Sequence, residues 1–307
     1  MPSIRPPARK TLFGLAASTI AVASLTVAPT QALAAAHDDM PVHQCWVNDA
    51  LAPPGPVVYG TEANDRIECE NDIENTTVYG AGGDDYIRVK GLVTDSQVLG
   101  GEGNDYVQTS DLYPVNGSST VRGGNGDDTI VVGAVHGTTS HGATVYGDMG
   151  NDKITTGSVN GTPGDHQRGG GQVFGNDEAD VIKTGMVDWG GRLLGGSGND
   201  VIEAKGVGAE TGGTIQGGPG ADAIRGTGDT LLTVGPAWGV VDGGADTDNC
   251  KAMVAYDPAR SPRGMIGNCE VGVVTQETTN TNTPAAAPQQ GMTLLRNSLR
   301  GWGRANS

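Results

Sequence analysis

Nine aspartates carry the chemistry that this sequence offers. Asp65, Asp85, Asp105, Asp128, Asp152, Asp180, Asp200, Asp222 and Asp248 recur at steps of 20, 20, 23, 24, 28, 20, 22 and 26 residues. Each stands sixth in a glycine-rich segment that begins at Gly60, Gly80, Gly100, Gly123, Gly147, Gly175, Gly195, Gly217 or Gly243. Two residues before the first glycine the side chain is always aliphatic: Val58, Val78, Val98, Val121, Val145, Val173, Leu193, Ile215 and Val241. Two residues after the aspartate stand Ile67, Ile87, Val107, Ile130, Ile154, Ile182, Ile202 and Ile224, with Cys250 in the last copy. Such residues favour the extended backbone and the glycine-rich segment favours a turn, so each copy reads as strand, turn, strand. A period near 20 residues is about one solenoid coil. Coils stacked ~4.8 Å apart would superpose the nine carboxylates in a file roughly 38 Å long. Each adjacent pair would then repel by about 3–4 kcal/mol at an effective dielectric of ~20. A file of this kind demands cations.

The segments Gly100–Val107, Gly123–Ile130 and Gly195–Ile202, followed by Gly217–Ile224 and the permuted Gly80-Ala81-Gly82-Gly83-Asp84-Asp85, resemble the RTX repeat G-G-x-G-x-D-x-U-x. Weaker copies begin at Gly60, Gly147, Gly175 and Gly243. The resemblance spans residues 57–250 and implies an all-β, parallel β-helix or β-roll solenoid of about nine coils with one glycine/aspartate turn per coil. It also implies calcium between stacked turns, held by the nine aspartates and by loop carbonyls around Gly80, Gly82, Gly100, Gly101, Gly103, Gly123, Gly124, Gly126, Gly195, Gly196, Gly198, Gly217, Gly218 and Gly220. Nine stacked turns bound the number of ions at about eight. Tandem arrays of the family place a turn every nine residues on both sides of a flattened coil, whereas the spacing here makes a one-sided array. Oxygen ligands in an adaptable shell suit calcium better than magnesium, and the motif has no histidine or thiolate to favour a softer metal. Turn chemistry alone accounts for Asn64, Asn104, Asn151 and Asn199 at the fifth position. It does not account for aspartate at every sixth position, where asparagine would turn as well and repel less.

Composition agrees with a thin stacked architecture. The 307 residues include 51 glycines and 16 prolines but only 2 Phe, 4 Trp and 7 Tyr, too few aromatics for a bundle or a thick sandwich. With 35 acids against 19 bases, the formal charge of −16 would repel a phosphate backbone, so nucleic acid is not an expected partner.

Residues 1–36 read as a signal peptide: Arg5, Arg9 and Lys10 precede an apolar stretch from Leu12 to Val27, and small residues follow to Ala36. The expected location is therefore extracellular, with no membrane span in the mature chain. Four cysteines, Cys45, Cys69, Cys250 and Cys269, favour disulfides in that compartment. Three pairings exist; the positions favour Cys45–Cys69 and Cys250–Cys269, one bridge at each end of the repeat. The expected organisation is a leader at 1–36, an N-terminal cap segment at 37–56, the solenoid at 57–250, a disulfide-bonded C-terminal cap at 251–274, and a linker with a basic tail at 275–307. In that tail Leu294, Leu295, Leu299 and Trp302 accompany Arg296, Arg300 and Arg304, a pattern suited to an anionic surface.

The remaining candidates are weaker. Tyr59, Tyr79, Leu99, Arg122, Tyr146, Phe174, Leu194, Gln216 and Asp242, just before the first glycines, should face outward, either stacking between coils or binding sugar. His136, His141, His166, Trp189 and Trp238 lie opposite the turns, where a grafted site would sit. A zinc site from the three histidines is disfavoured, and His37, which would lie near a new N-terminus, could offer copper(II) a square-planar set. Position three, from Glu62 through Gly82, Glu102, Asn125, Met149, Asp177, Ser197 and Pro219 to Ala245, builds no regular ladder of the ice-binding kind. No catalytic triad or paired-acid constellation stands out. The expectation is a monomeric, non-catalytic calcium-binding scaffold with a glycan or envelope partner; the alternatives are a lyase-like β-helix enzyme acting on polysaccharide and a calcium-dependent adhesin.

Overall fold

The β-branched residues that flank each turn alternate with polar ones, so a strand on either side of the turn buries one face and wets the other. The computed structural model describes residues 44–163, 169–255, 264–272 and 275–276. There the chain winds as a parallel β-solenoid of about nine turns, with no helix among the described residues. The strands before the turns, from Val57–Tyr59 through Thr77–Gly82, Gln97–Glu102 and so on to Gly239–Ala245 and Met265–Gly267, stack into a 10-stranded sheet. Those after the turns, from Arg66–Cys69 and Tyr86–Val89 to Ala223–Gly226 and Asn249–Val254, form the centre of a 15-stranded sheet.

Register is fixed by the repeat. Val121 pairs with Val98 and Val145 in one sheet, and Ile130 with Val107 and Ile154 in the other. Both aliphatic columns are buried along their whole length. A third column, at the corner farthest from the turns, has no counterpart in the nine-residue motif: Ile73, Val93, Leu112, Val135, Val159, Val187, Val207 and Val234. A fourth mixes Cys69, Val89, Thr109, Val132, Thr156, Thr184, Ala204 and Ala252, and the threonine hydroxyls donate to backbone carbonyls one residue on. The core is thus built of lines of aliphatic and small side chains, each line taking one residue per coil, with Thr76, Ser96, Ser119 and Ala143 adding a shorter line, which explains how a chain poor in aromatics encloses one.

Each end carries a disulfide and added strands. Cys45–Val47 runs antiparallel to Arg66–Cys69, covering the edge of the 15-stranded sheet at the first coil, and Cys45 pairs directly with Cys69 to form a disulfide. The Cys250–Cys269 disulfide ties coil nine to the segment that follows it. In that segment Met265–Gly267 and Thr275–Gln276 add parallel strands to the two sheets, the beginning of a tenth coil. The two expected pairings are those of the structure. The expected leader, His37, His166 and the basic tail lie outside the described residues.

Candidate metal centre

The turn brings its aspartate inward. Position six ends the glycine-rich segment and position eight must enter the core, so by alternation the sixth side chain also points inward, under its own turn. All nine aspartates are buried, none more than 4% exposed. They form a ladder: the backbone N–H of Asp65 donates to Oδ1 of Asp85 at 2.8 Å, that of Asp85 to Asp105, and so on to Asp222, which donates to Asp248 at 2.8 Å. Every step is made, at 2.7 to 2.9 Å.

One carboxylate oxygen per rung is thereby satisfied; the other is not. The Oδ2 atoms of Asp85, Asp105, Asp128, Asp152, Asp180, Asp200, Asp222 and Asp248 are buried without a hydrogen-bond partner. Each lies against the first glycine of its own turn, where a Cβ would strike both that oxygen and a carbonyl of the following coil: Asp105 Oδ2 and the Gly123 carbonyl at Gly100, Asp128 Oδ2 and the Gly147 carbonyl at Gly123. Gly80, Gly195 and Gly217 repeat the arrangement. Position one is therefore glycine for want of room, its Cα–H pointing toward the two oxygens where a methyl group would not fit. The other glycines of the motif pack on the preceding coil: Gly101, Gly124, Gly196 and Gly218 at position two, and Gly103, Gly126, Gly198 and Gly220 at position four, all sit over backbone carbonyls, while Gly82 sits over Glu62.

Burial of these carboxylates pushes their pKa values up, against the pull of the backbone N–H bonds. Asp85 and Asp222 rise to about 6, Asp105 and Asp152 to about 7, and Asp128 and Asp180 to about 8. Asp200 and Asp248 are raised from the same leading cause. Neighbouring carboxylates add to the rise, as Asp152 and Asp105 do for Asp128.

The two ends of the ladder differ. Asp65 Oδ1 accepts from the Asn48 side-chain amide, and its Oδ2 accepts from both the N–H and the hydroxyl of Thr61. Burial still pushes this carboxyl up, but those donors outweigh it and hold the pKa below the ordinary value. At the other end Glu270 Oε2 accepts the Asp248 N–H at 3.0 Å, in the place of a tenth aspartate, and the Asn268 carbonyl takes the place of the next glycine's.

Position five carries a second, exposed ladder of opposite polarity. Asn64 Oδ1 accepts from the Asp84 N–H, Asp84 from Asn104, Asn104 from Asp127, and Asp127 from Asn151. Asn199 accepts from Ala221. The turn-forming residues of the sequence reading thus also bind coil to coil, which single-turn propensity does not reveal. Further aspartates brace the far corner: Asp72 accepts from Leu92, Asp111 from Ala134, Asp188 from Glu210 and Thr211, and Asp95 from Val115, Asn116 and Gly117.

The donor chemistry fits a hard cation. Eight buried, unpartnered carboxylate oxygens facing carbonyls supply oxygen only, and extra positive charge would relieve both the desolvation and the mutual repulsion. The carboxylates are spaced one to a rung, and among the described residues no group of three or more His, Cys, Asp or Glu gathers at one point. Carbonyl oxygens would have to complete each shell.

Outside the turns, the residues before the first glycines face out as expected. Tyr146 and Phe174 stack at 5.1 Å, Tyr59 meets Tyr79 edge-on at 6.4 Å, and Arg122 lies 4.1 Å over Tyr146 while pairing with Asp148. This column and position three flank an open groove lined by Tyr79, Glu102, Arg122, Met149, Phe174 and Leu194 among others. His136 bonds Asn160 at 3.0 Å and His141 bonds Ser140 at 2.9 Å, so each imidazole contacts its own neighbour rather than a shared ligand. No protein-family model matches the chain, and no curated protein or solved structure does.

Proposed function

We propose that this chain is a calcium-binding β-solenoid of the RTX kind, in which ions between stacked turns hold together a non-catalytic structural or interaction scaffold. The observation that carries the reading is the file of eight buried Oδ2 atoms without a hydrogen-bond partner, each near a carbonyl of the segment that follows. Two acceptors confronted in this way need a proton or a cation. Asp85, Asp105, Asp128, Asp152, Asp180, Asp200, Asp222 and Asp248 would hold the ions, with glycine carbonyls of the turns completing the shells. A bound divalent ion supplies charge neutralisation and cross-linking between coils.

Two disulfides support a non-cytoplasmic location, and an extracellular one is the reading we adopt. No helix among the described residues is long and apolar enough to cross a membrane. The outer groove, with aromatic rings beside Glu102, Asp177 and Arg122, supports the interaction half of the proposal, a glycan or an envelope component being the partner.

The deciding experiment is a calorimetric calcium titration of the full chain beside its far-ultraviolet circular dichroism. Millimolar calcium should strengthen the β spectrum and raise the melting temperature relative to excess chelator at pH 8. Identical spectra in both conditions, with no heat of binding, would dismiss the proposal.

A further inference from the structure

The first turn is built differently from the other eight. At position two the backbone has positive φ in Ala81 (87°), Gly101 (134°), Gly124 (128°), Asp148 (81°), Asn176 (89°), Gly196 (125°), Gly218 (126°) and Gly244 (119°). At position four the same holds for Gly83, Gly103, Gly126, Gly150, Glu178, Gly198, Gly220 and Asp246. Thr61 and Ala63, which occupy these positions in coil one, are absent from the positive-φ residues. A β-branched threonine resists that region of backbone space, which glycine enters freely. The first turn therefore takes another path. On it the Thr61 N–H and hydroxyl both reach Oδ2 of Asp65, the atom that stands alone in every later rung. Asn48, from the N-terminal cap, supplies the donor that a preceding coil would have given to Oδ1.

We infer that coil one is an ion-free terminus, in which Thr61 substitutes its own two donors for the cation and Asp65 is a cap rather than a ligand. The inference rests on the calcium reading and refines it. Gly60 meets the Gly80 carbonyl and Asp65 Oδ2 as the first glycines of later turns meet theirs, so coil one differs in its donors and not in its oxygens. Protein donors satisfy the same oxygen without a divalent charge. Asp248, at the other end, keeps an unpartnered Oδ2 and gains Glu270 as an additional carboxylate. The file is thus closed at coil one and extended at coil nine.

The test counts calcium ions bound to the full chain, by native mass spectrometry and equilibrium dialysis, in the parent and three variants. Asp65→Asn should bind as many ions as the parent, whereas Asp105→Asn should lose at least one. The double variant Thr61→Gly/Ala63→Gly, which restores glycine at both positions, should gain one. Circular dichroism in saturating calcium confirms that each variant is folded, and either change at coil one decides the matter alone. Loss of an ion from Asp65→Asn, or an unchanged count in a folded double variant, overturns the cap assignment and leaves the calcium reading intact. A parent that binds no calcium overturns both.

Discussion

The backbone N–H of Asp128 donates to Oδ1 of Asp152 at 2.8 Å, across 24 residues of chain. The bond occupies one carboxylate oxygen with the rung below and leaves the second, Oδ2, against the Gly147 position and the Gly175 carbonyl. One geometry thus both builds the ladder and creates its deficit. Oδ1 would serve equally well as an asparagine oxygen; Oδ2 is the reason for the acid.

The first prediction concerns pH. In unfolded chain these carboxyls titrate near 3.8, whereas in the folded, metal-free chain they titrate at about 6 to 8. A raised folded pKa means that protonation favours the fold. The contribution is complete below the unfolded value and is lost as pH rises through the folded values. In chelator the protein should melt at a higher temperature at pH 5 than at pH 8. Saturating calcium should reverse the order, because the ion competes with protons for the same oxygens. Thermal melts at the two pH values, with and without the ion, make the comparison.

Asp128→Asn separates the two oxygens chemically. The amide oxygen keeps the bond from Asp105, and the new NH2 offers a hydrogen toward the carbonyl that Oδ2 now confronts. In chelator at pH 8 the variant should be more stable than the parent by about 1–3 kcal/mol, the usual cost of a buried unsatisfied polar group. In calcium it should be less stable, having lost a ligand. Urea unfolding in each condition would show the change of sign, and a variant destabilised in both would count against ion ligation at this rung.

Glu270→Ala removes the acceptor of the Asp248 N–H, a buried donor at the end of the file. The expected cost is about 1–3 kcal/mol, concentrated in coil nine. Hydrogen exchange should accelerate at the Asp248 amide and its neighbours while coils two to four remain protected.

Ile154→Ala truncates one member of the column that runs from Ile67 to Cys250. Each coil contributes one side chain to this column, held in register with Ile130 and Ile182 on either side, so few side chains can move in to fill the space. A loss of about 2–5 kcal/mol is expected in saturating calcium, read as a lower urea midpoint with the ion count unchanged.

Much of this molecule was legible because the repeat is short-range and its columns are chemically pure. Val58 through Val241, Ile67 through Ile224 and the nine aspartates fixed the coil length, the turn and the inward face before any coordinates. The far corner was not legible in the same way. Ile73, Leu112 and Val187 follow their turn aspartates by 8, 7 and 7 residues, but the motif ends before reaching them, and the variation in coil length that falls just after them obscures the column. Asn64 and Asn104 matched turn propensity so well that their second role, accepting from the next coil, left no separate trace. Thr61 and Ala63 were visible as a weak copy of the motif. What they signify follows only from the bonds they make to Asp65.

The opposed polarity of the two ladders bears on how such a chain changes length. Position six accepts from the N–H of the coil before it, and where position five is Asn or Asp its side-chain oxygen accepts from the N–H of the coil after it, so most turns are stitched in both directions along a single spine. Coils of 20 and of 28 residues join that spine equally well, the excess being spilled at the opposite edge. Whole coils can be duplicated or deleted without disturbing the seam, and inserted loops grow like fringe from a woven border. Within this chain the coils differ in length by up to eight residues while the seam itself keeps one geometry throughout.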